Sequence, residues 1–430
     1  MSRRGVLDVV VVGAGVVGAA TALSLARDGL SVALVEPRQP APWSADSPDL
    51  RVYAFAPDNA ALLADLGVWR DVVSRRVLPY RAMQVWDAAG GKPLRFDADR
   101  LARRELGWIV EHSLLVDRLW AALPAAGVQL HCPDRVSGLV QARGAAHDGP
   151  PVEAARAAER AVDPDAATLE LESGLRLRAR LIVAADGADS PLRELAGIGI
   201  ERHDYRQRAL VAFVETARAH RHTCWQRFLP SGPLAFLPFA GECTGAREGH
   251  DAAGGGGGRC SSIVWTLPDD EAQRLLVADD TAFLRELQRA FDGPLGAMRA
   301  VSARTSFPLR RQLAKSYVSG RVLLVGDAAH VVHPLAGQGV NLGLRDASAL
   351  RATLASAARR GTDIAAASRW SRWARDRRSA NALAAYGFEG LNRLFSDEAV
   401  GMALLRGPAL GAVGLLPPLT RALWKHAAGV

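Results

Sequence analysis

The chain of 430 residues has only four cysteines, Cys132, Cys224, Cys243 and Cys260, and no two of them form a C-x-x-C pair. That spacing argues against a zinc ribbon and a dithiol redox motif, so all four read as reduced structural thiols of a cytoplasmic protein. Long apolar runs are also missing. No unbroken stretch reaches the roughly 18 residues a membrane-spanning helix needs, and Asp8 interrupts the one N-terminal run that could pass for a signal peptide. The chain carries 53 Lys+Arg against 45 Asp+Glu, a net charge of +8, yet no compact basic run with interleaved aromatics appears. A nucleic-acid partner is therefore disfavoured, and the excess charge is spread over solvated faces. His330 and His333 stand three apart with no third ligand at metal spacing, which leaves them packing or supporting roles and no metal. Trp370 and Trp373, also three apart, read as helix-packing residues.

What is present is enough apolar content, 49% of the residues, for a large core divided among two or three structural units. Residues 6–12, VLDVVVV, are short, β-branched and followed by glycines, as expected of a strand buried on both faces of a parallel sheet. Helix-forming residues follow from Thr21 to Arg27, Asp28-Gly29 ends them, and SVALVE supplies a second strand. Between Arg208 and Phe307 short apolar strands (LVAFVE, AFLPFA, SIVWTL) surround one helical run near Asp280 to Phe291, the mixture of an antiparallel sheet with a helix. Residues 145–166 and the glycine run Gly254–Gly258 read as surface insertions.

Three segments carry chemistry. In GAGVVG, Gly13 permits a tight turn, Gly15 lets a pyrophosphate approach the backbone, and Gly18 lets helix and strand pack closely. The helix that follows offers free N–H groups and the positive end of its dipole. Glu36 ends the next strand, where a carboxylate meets an adenosine ribose and disfavours a 2'-phosphate, so the dinucleotide is FAD or NAD. The second segment, AADGADSPLR, brings Asp186 and Gly187 to a strand end; alone, it would read as an ordinary Asp-Gly turn. The third, RVLLVGDAA, brings Asp327 to the same sheet edge, where its carboxylate can accept bonds from ribityl hydroxyls. Pro334, Gly337, Gln338 and Gly339 then lead into a helix near Asn341 to Leu350, whose N–H groups would face the flavin's pyrimidine edge.

Taken in order, these segments resemble the single-component FAD-dependent aromatic hydroxylases, above all the ubiquinone-biosynthesis hydroxylases. GAGVVGAATALSLARDGLSVALVE, ADGADSPLR and GDAAHVVHPLAGQGVNLGLRD look like that family's three signatures, and the resemblance runs over nearly the whole chain. It implies that Arg51 in DLRVYAFAPDNAALLADLGVW contacts FAD, and that His112 and Arg118 in WIVEHSLLVDRLW stand beside the flavin phosphates. Phe55, Ala56 and Asp58 depart from the family's smaller or hydroxyl residues, which bears on the substrate rather than on FAD.

The implied fold is α/β. A Rossmann-type FAD-binding parallel sheet occupies 1–75, 106–200 and 311–350, a discontinuous α+β substrate domain with an antiparallel sheet 76–105 and 201–310, and a C-terminal helical region 351–430. The implied reaction is hydroxylation of a polyprenylated phenol with O2, through flavin reduced by transient NAD(P)H and its C4a-hydroperoxide. A quinone-biosynthesis assembly is an implied partner. The rivals are another FAD enzyme on this scaffold and a non-catalytic flavin-binding subunit; VWTLP does not fit the W-x-W-x-I-P expected of a halogenase. The tail LTRALWKH sets Arg421, Lys425 and His426 around Trp424, an arrangement expected to touch the inner membrane peripherally.

Overall fold

The computed structural model describes residues 5–141, 163, 165–243, 258–332 and 339–396 together with Trp424, with side chains in the last helix described as far as Tyr386. The β-branched run folds as the strand Leu7–Val12, the helix Val16–Arg27 follows its glycines, and Val32–Val35 lies parallel to the first strand with Val9 opposite Val32. Val9, Val10 and Val11 are fully buried, which is why no polar residue alternates with them.

These strands belong to an eight-stranded sheet whose main path runs Val318–Ser319, Val322–Leu324, Arg176–Ala184, Leu7–Val12, Val32–Val35, Gln129–His131. Every neighbouring pair on that path is parallel except the first. From Leu7–Val12 the chain moves to one side, while Arg176–Ala184 flanks the other. Such a reversal of strand order opens a crevice beyond the carboxyl ends, where ligands of open α/β sheets bind.

The second sheet has nine strands, built around the 17-residue strand Ile200–Thr216 between Thr305–Ala314 and Cys260–Pro268. Its alternation sorts the residues by face. Leu210, Ala212, Val214, Ile263 and Trp265 pack under the helix Asp280–Phe291 through Phe283, Leu287 and Phe291. Ala209, Val211 and Val264 face the opposite way, toward the crevice. A third sheet, of the strands Val52–Phe55, Gly107–Glu111 and Val77–Tyr80, closes the site from below. The expected strands and helix of this region are present. Not expected from the sequence are the helix Asp269–Val277, the strands Thr223–Leu229 and Met298–Val301, and the first half of the long strand. IERHDYRQR is charged and largely exposed, so it lacks an apolar alternation, and a bulge between Asp204 and Gln207 breaks its period.

The C-terminal helices are Gly339–Arg359 and Ala367–Ser396. Trp370 and Trp373 are core residues as expected, with ring centroids 5.9 Å apart and Trp370 Nε1 donating to the Ile364 carbonyl at 2.8 Å. Two expectations need correction. Cys243 and Cys260 are joined in a disulfide with Cα atoms 5.5 Å apart, so only Cys132 and Cys224 are free. The Phe239 N–H bonds the Cys260 carbonyl at 3.0 Å, which brings the two chain segments side by side despite their separation in sequence. Trp424, expected at a lipid interface, is 8% exposed, belongs to the core cluster of Val52, Tyr80 and Phe239, and carries the Arg103 guanidinium over its ring at 5.3 Å. Burying an indole under a cation within the protein leaves it no part in lipid contact.

Candidate functional site

The carboxyl ends of three adjacent parallel strands carry the three segments singled out in the sequence. Gly13 follows Val12, Asp186 follows the strand ending at Ala184, and Gly326-Asp327 follows the strand ending at Leu324. They border a cavity of about 650 Å³, in the range of small-molecule and cofactor sites. Of the expected residues, Gly15, Arg51, His112, Gly187, Asp327 and Gly339 line it.

The glycines divide the work in a way that tests whether a dinucleotide fits. An added Cβ at Gly13, whose φ is +92°, would stand 2.4 Å from the Ala185 carbonyl oxygen, and one at Gly18 would stand 1.9 Å from the Gly13 oxygen. Both glycines are required by close backbone packing. At Gly15 an added Cβ would meet nothing within 4 Å, because this position opens into the cavity. Gly15 is also the N-cap of Val16–Arg27, with no side-chain cap and no acidic residue in the first turn. The free N–H groups and positive dipole end of that turn are therefore left for an anion. Gly339 starts a second helix at the same cavity, again without an acid in its first turn. A phosphate chain fits the first helix end, and Asp327, exposed at the cavity wall, offers an acceptor to hydroxyl groups.

Other expected residues lie beside the cavity and hold its walls. Glu36 Oε2 accepts the Ala14 N–H at 2.7 Å, so the carboxylate pins the glycine turn. Asp186 turns away from the cavity, accepting Ser190 Oγ–H at 2.5 Å and the Leu192 N–H at 3.1 Å. Burial raises its carboxyl above the usual range, against the lowering effect of these bonds. Asn341 is fully buried; its Oδ1 accepts from the Ala56 N–H and from Asn59, and its Nδ2 donates to the Ala54 carbonyl at 2.8 Å. It fastens the second helix to the strand below instead of lining the cavity. Arg118 is paired with Asp117 and is not among the lining residues. Pro334, Gly337 and Gln338 lie outside the described residues. Among the departures noted in the sequence, Phe55 stacks on Trp69 in the core and Asp58 pairs with Arg345 at 2.6 Å, so neither touches the cavity.

Several residues at the site were not anticipated. Tyr53 lines the cavity, and its hydroxyl lies 2.9 Å from His112 Nδ1. Its position two residues from Arg51 on an extended segment was the available signal, since such residues share a face. Arg193 ties two of the loops together, donating to the carbonyls of Ala188 at 2.9 Å and Ala328 at 3.1 Å. Behind Asp327, fully buried Asp346 accepts from the Gly326 N–H at 3.1 Å, His330 at 2.6 Å, Arg377 at 2.7 Å and Asn381 at 3.0 Å. Burial opposes its ionisation, but His330 and Arg377 outweigh that and hold its carboxyl below the usual range. His330 thus has the supporting role expected of it. Across the cavity Ala209, Val211, Val264, Phe307, Leu309, Val331 and Val332 supply apolar lining, beside an ion pair of Arg310 and Asp189 at 2.9 Å.

Residues 6–380 match the family model described as FAD binding domain. The ubiquinone hydroxylase UbiL of Rhodospirillum rubrum is 36% identical over 100% of this chain and 91% of its own length. The 3-demethoxyubiquinol 3-hydroxylase of Escherichia coli is 33% identical over 98% of both chains. The crystal structure of p-nitrophenol 4-monooxygenase PnpA from Pseudomonas putida superposes with a TM-score of 0.73 over 98% of both chains at 19% identity, which shows the shared fold. Given a cavity that fits a dinucleotide and whole-length identity to these hydroxylases, the chain belongs to the FAD binding domain family, in its group of ubiquinone-biosynthesis hydroxylases, and is an FAD-dependent aromatic monooxygenase.

Proposed function

We propose that the chain hydroxylates the aromatic ring of a polyprenylated phenol in ubiquinone biosynthesis, using O2 and a nicotinamide, NADH or NADPH, that visits transiently. The observation that carries this reading is the two-sided character of the cavity. Helix ends, Arg51, His112 and Asp327 stand on one side, and on the other the sheet residues Ala209, Val211, Val264 and Leu309 form an apolar surface beside the Arg310–Asp189 ion pair. The first side suits the phosphates and hydroxyls of FAD, and the second suits a ring bearing a hydrocarbon chain.

When bound, FAD supplies the activation of O2 and the delivery of one oxygen atom; the protein supplies position and surroundings. The first turn of Val16–Arg27 holds the phosphate chain, with Gly15 keeping its approach open, and Arg51 adds a cation nearby. Asp327 accepts from hydroxyls of the cofactor chain, its loop held from behind by Asp346. The apolar wall excludes water from the reacting ring, which a monooxygenase needs if oxygen is to reach substrate and not be lost as hydrogen peroxide. The prenyl chain of such a substrate is held in the bilayer, so peripheral membrane contact is part of the proposal. Arg421 and Lys425 in the tail sequence support it, whereas Trp424 does not.

The test supplies the FAD-loaded protein with a nicotinamide, a prenylated phenol and oxygen-18 gas. The expected product carries one labelled oxygen on the ring. Turnover of non-prenylated phenols alone would refute the quinone assignment, and nicotinamide oxidation yielding only hydrogen peroxide would refute hydroxylation.

A further inference from the structure

Arg51, Tyr53 and His112 are brought together by backbone pairing. Val52–Phe55 lies antiparallel to Gly107–Glu111 with Tyr53 opposite Val110, and the His112 N–H bonds the Arg51 carbonyl at 2.9 Å. Asp49 fixes the turn from strand to helix, its Oδ2 accepting the Ser113 N–H at 3.0 Å and its Oδ1 the Arg51 N–H at 2.9 Å. The Tyr53 and His112 rings meet edge to face with centroids 5.8 Å apart, and the Arg51 guanidinium lies 5.6 Å from the Tyr53 ring centre.

The 2.9 Å contact between Tyr53 Oη and His112 Nδ1 can be made with either group donating. Tyr53 decides which. Tyr53 is 8% exposed, and among the described residues His112 Nδ1 is its one hydrogen-bond partner. Were Nδ1 the donor, the hydroxyl proton would have no acceptor among the described residues, which is the more costly arrangement. With Tyr53 donating, Nδ1 is the acceptor and the ring proton sits on Nε2.

We infer that Tyr53 is a positioning residue: its hydroxyl locks His112 in the Nε2–H tautomer, so that His112 presents a neutral N–H donor, beside the Arg51 cation, to an acceptor oxygen of the bound dinucleotide. The inference rests on the placement of His112 at the FAD cavity proposed above. The charged groups around the pair are Arg51, Asp49 and Asp327. Burial first, and then Arg51, bring the imidazole down to about 4 against the opposing pull of Asp49, so the ring stays neutral through the physiological range.

The test reads the tautomer and the affinity separately. Nitrogen-15 spectra of histidine-labelled protein, with and without FAD, should show His112 with a protonated Nε2 and an unprotonated Nδ1; the opposite pattern overturns the inference. Tyr53→Phe should give a mixture of tautomers at His112 and weaken FAD by the fraction left in the wrong tautomer, about 2-fold for an even mixture, while the apo melting temperature changes little. Unchanged FAD affinity in Tyr53→Phe, with His112→Ala weakened, would overturn the tautomer inference and spare the cavity assignment. Unchanged affinity in His112→Ala would overturn both. His112→Gln, whose amide can present an N–H near the position of Nε2, should recover part of the affinity lost in His112→Ala.

Discussion

Replacing Gly15 by valine separates cofactor binding from folding, because this glycine alone of the fingerprint is open on its Cβ side. Its φ of −64° suits any residue, and nothing lies within 4 Å of an added Cβ. The apo protein should therefore lose about 1 kcal/mol or less, the scale of a poorer N-cap. The branched side chain would stand in front of the first-turn N–H groups. Losing two charge-assisted bonds at about 1.5–3 kcal/mol each removes roughly 3–6 kcal/mol, a factor of about 10² to 10⁴ in Kd. Circular dichroism melts of the apo protein and titration of FAD by fluorescence quenching measure the two effects. Gly18→Val is the control, since its Cβ would overlap the Gly13 carbonyl and the fold itself should fail. A Gly15→Val protein that binds FAD within about threefold of wild type would refute the placement of the phosphates at this helix end.

Asp346→Ala should destabilise the protein by about 3–5 kcal/mol in urea melts, because it strands His330 and Arg377 around a lost carboxylate; a loss under about 1 kcal/mol would refute the role given to that node. His112 and His220 are each held down to about 4, by burial first and then by Arg51 and His222 respectively. The unfolded chain takes up these protons below about 6.5 and the folded chain does not, so apo stability should fall as pH drops from about 6.5 to about 4, by up to about 1.4 kcal/mol per unit for each histidine. His220→Gln should flatten that slope in urea midpoints measured across the window, and an unchanged slope would count against it. Thiol titration of the unfolded, unreduced chain should find Cys132 and Cys224 alone, and reduction should lower stability by about 3 kcal/mol, as expected for a bridge spanning 17 residues. Four reactive thiols before reduction would contradict the Cys243–Cys260 bond.

Much of the architecture was legible because each signal was local. A β-branched strand, a glycine turn and a helix end need only their own neighbours, so Leu7–Val12 and Asp280–Phe291 stand where composition and period placed them, while the helix expected from Thr21 to Arg27 begins earlier, at Val16, directly after the glycine turn. The strand at Ile200–Arg208 was not legible, since its pairing rests on backbone bonds to a partner a hundred residues away and its side chains face water. At the site, the sequence by itself determined which chain segments meet: three strand ends carrying Gly13, Asp186 and Asp327, and the helix begun by Gly339. Which way each side chain points was decided by tertiary structure. Glu36 and Asp186 are drawn to backbone N–H groups that would otherwise be unpaired, and Asn341 to the buried backbone groups of Ala54 and Ala56. Likewise, the Cys243–Cys260 bond, the burial of Trp424 and the meeting of Tyr53 with His112 each join residues that no spacing in the sequence connects. A local pattern sets the path of the backbone. The partner of a polar or sulfur atom is whichever group the rest of the fold brings within about 3 Å of it.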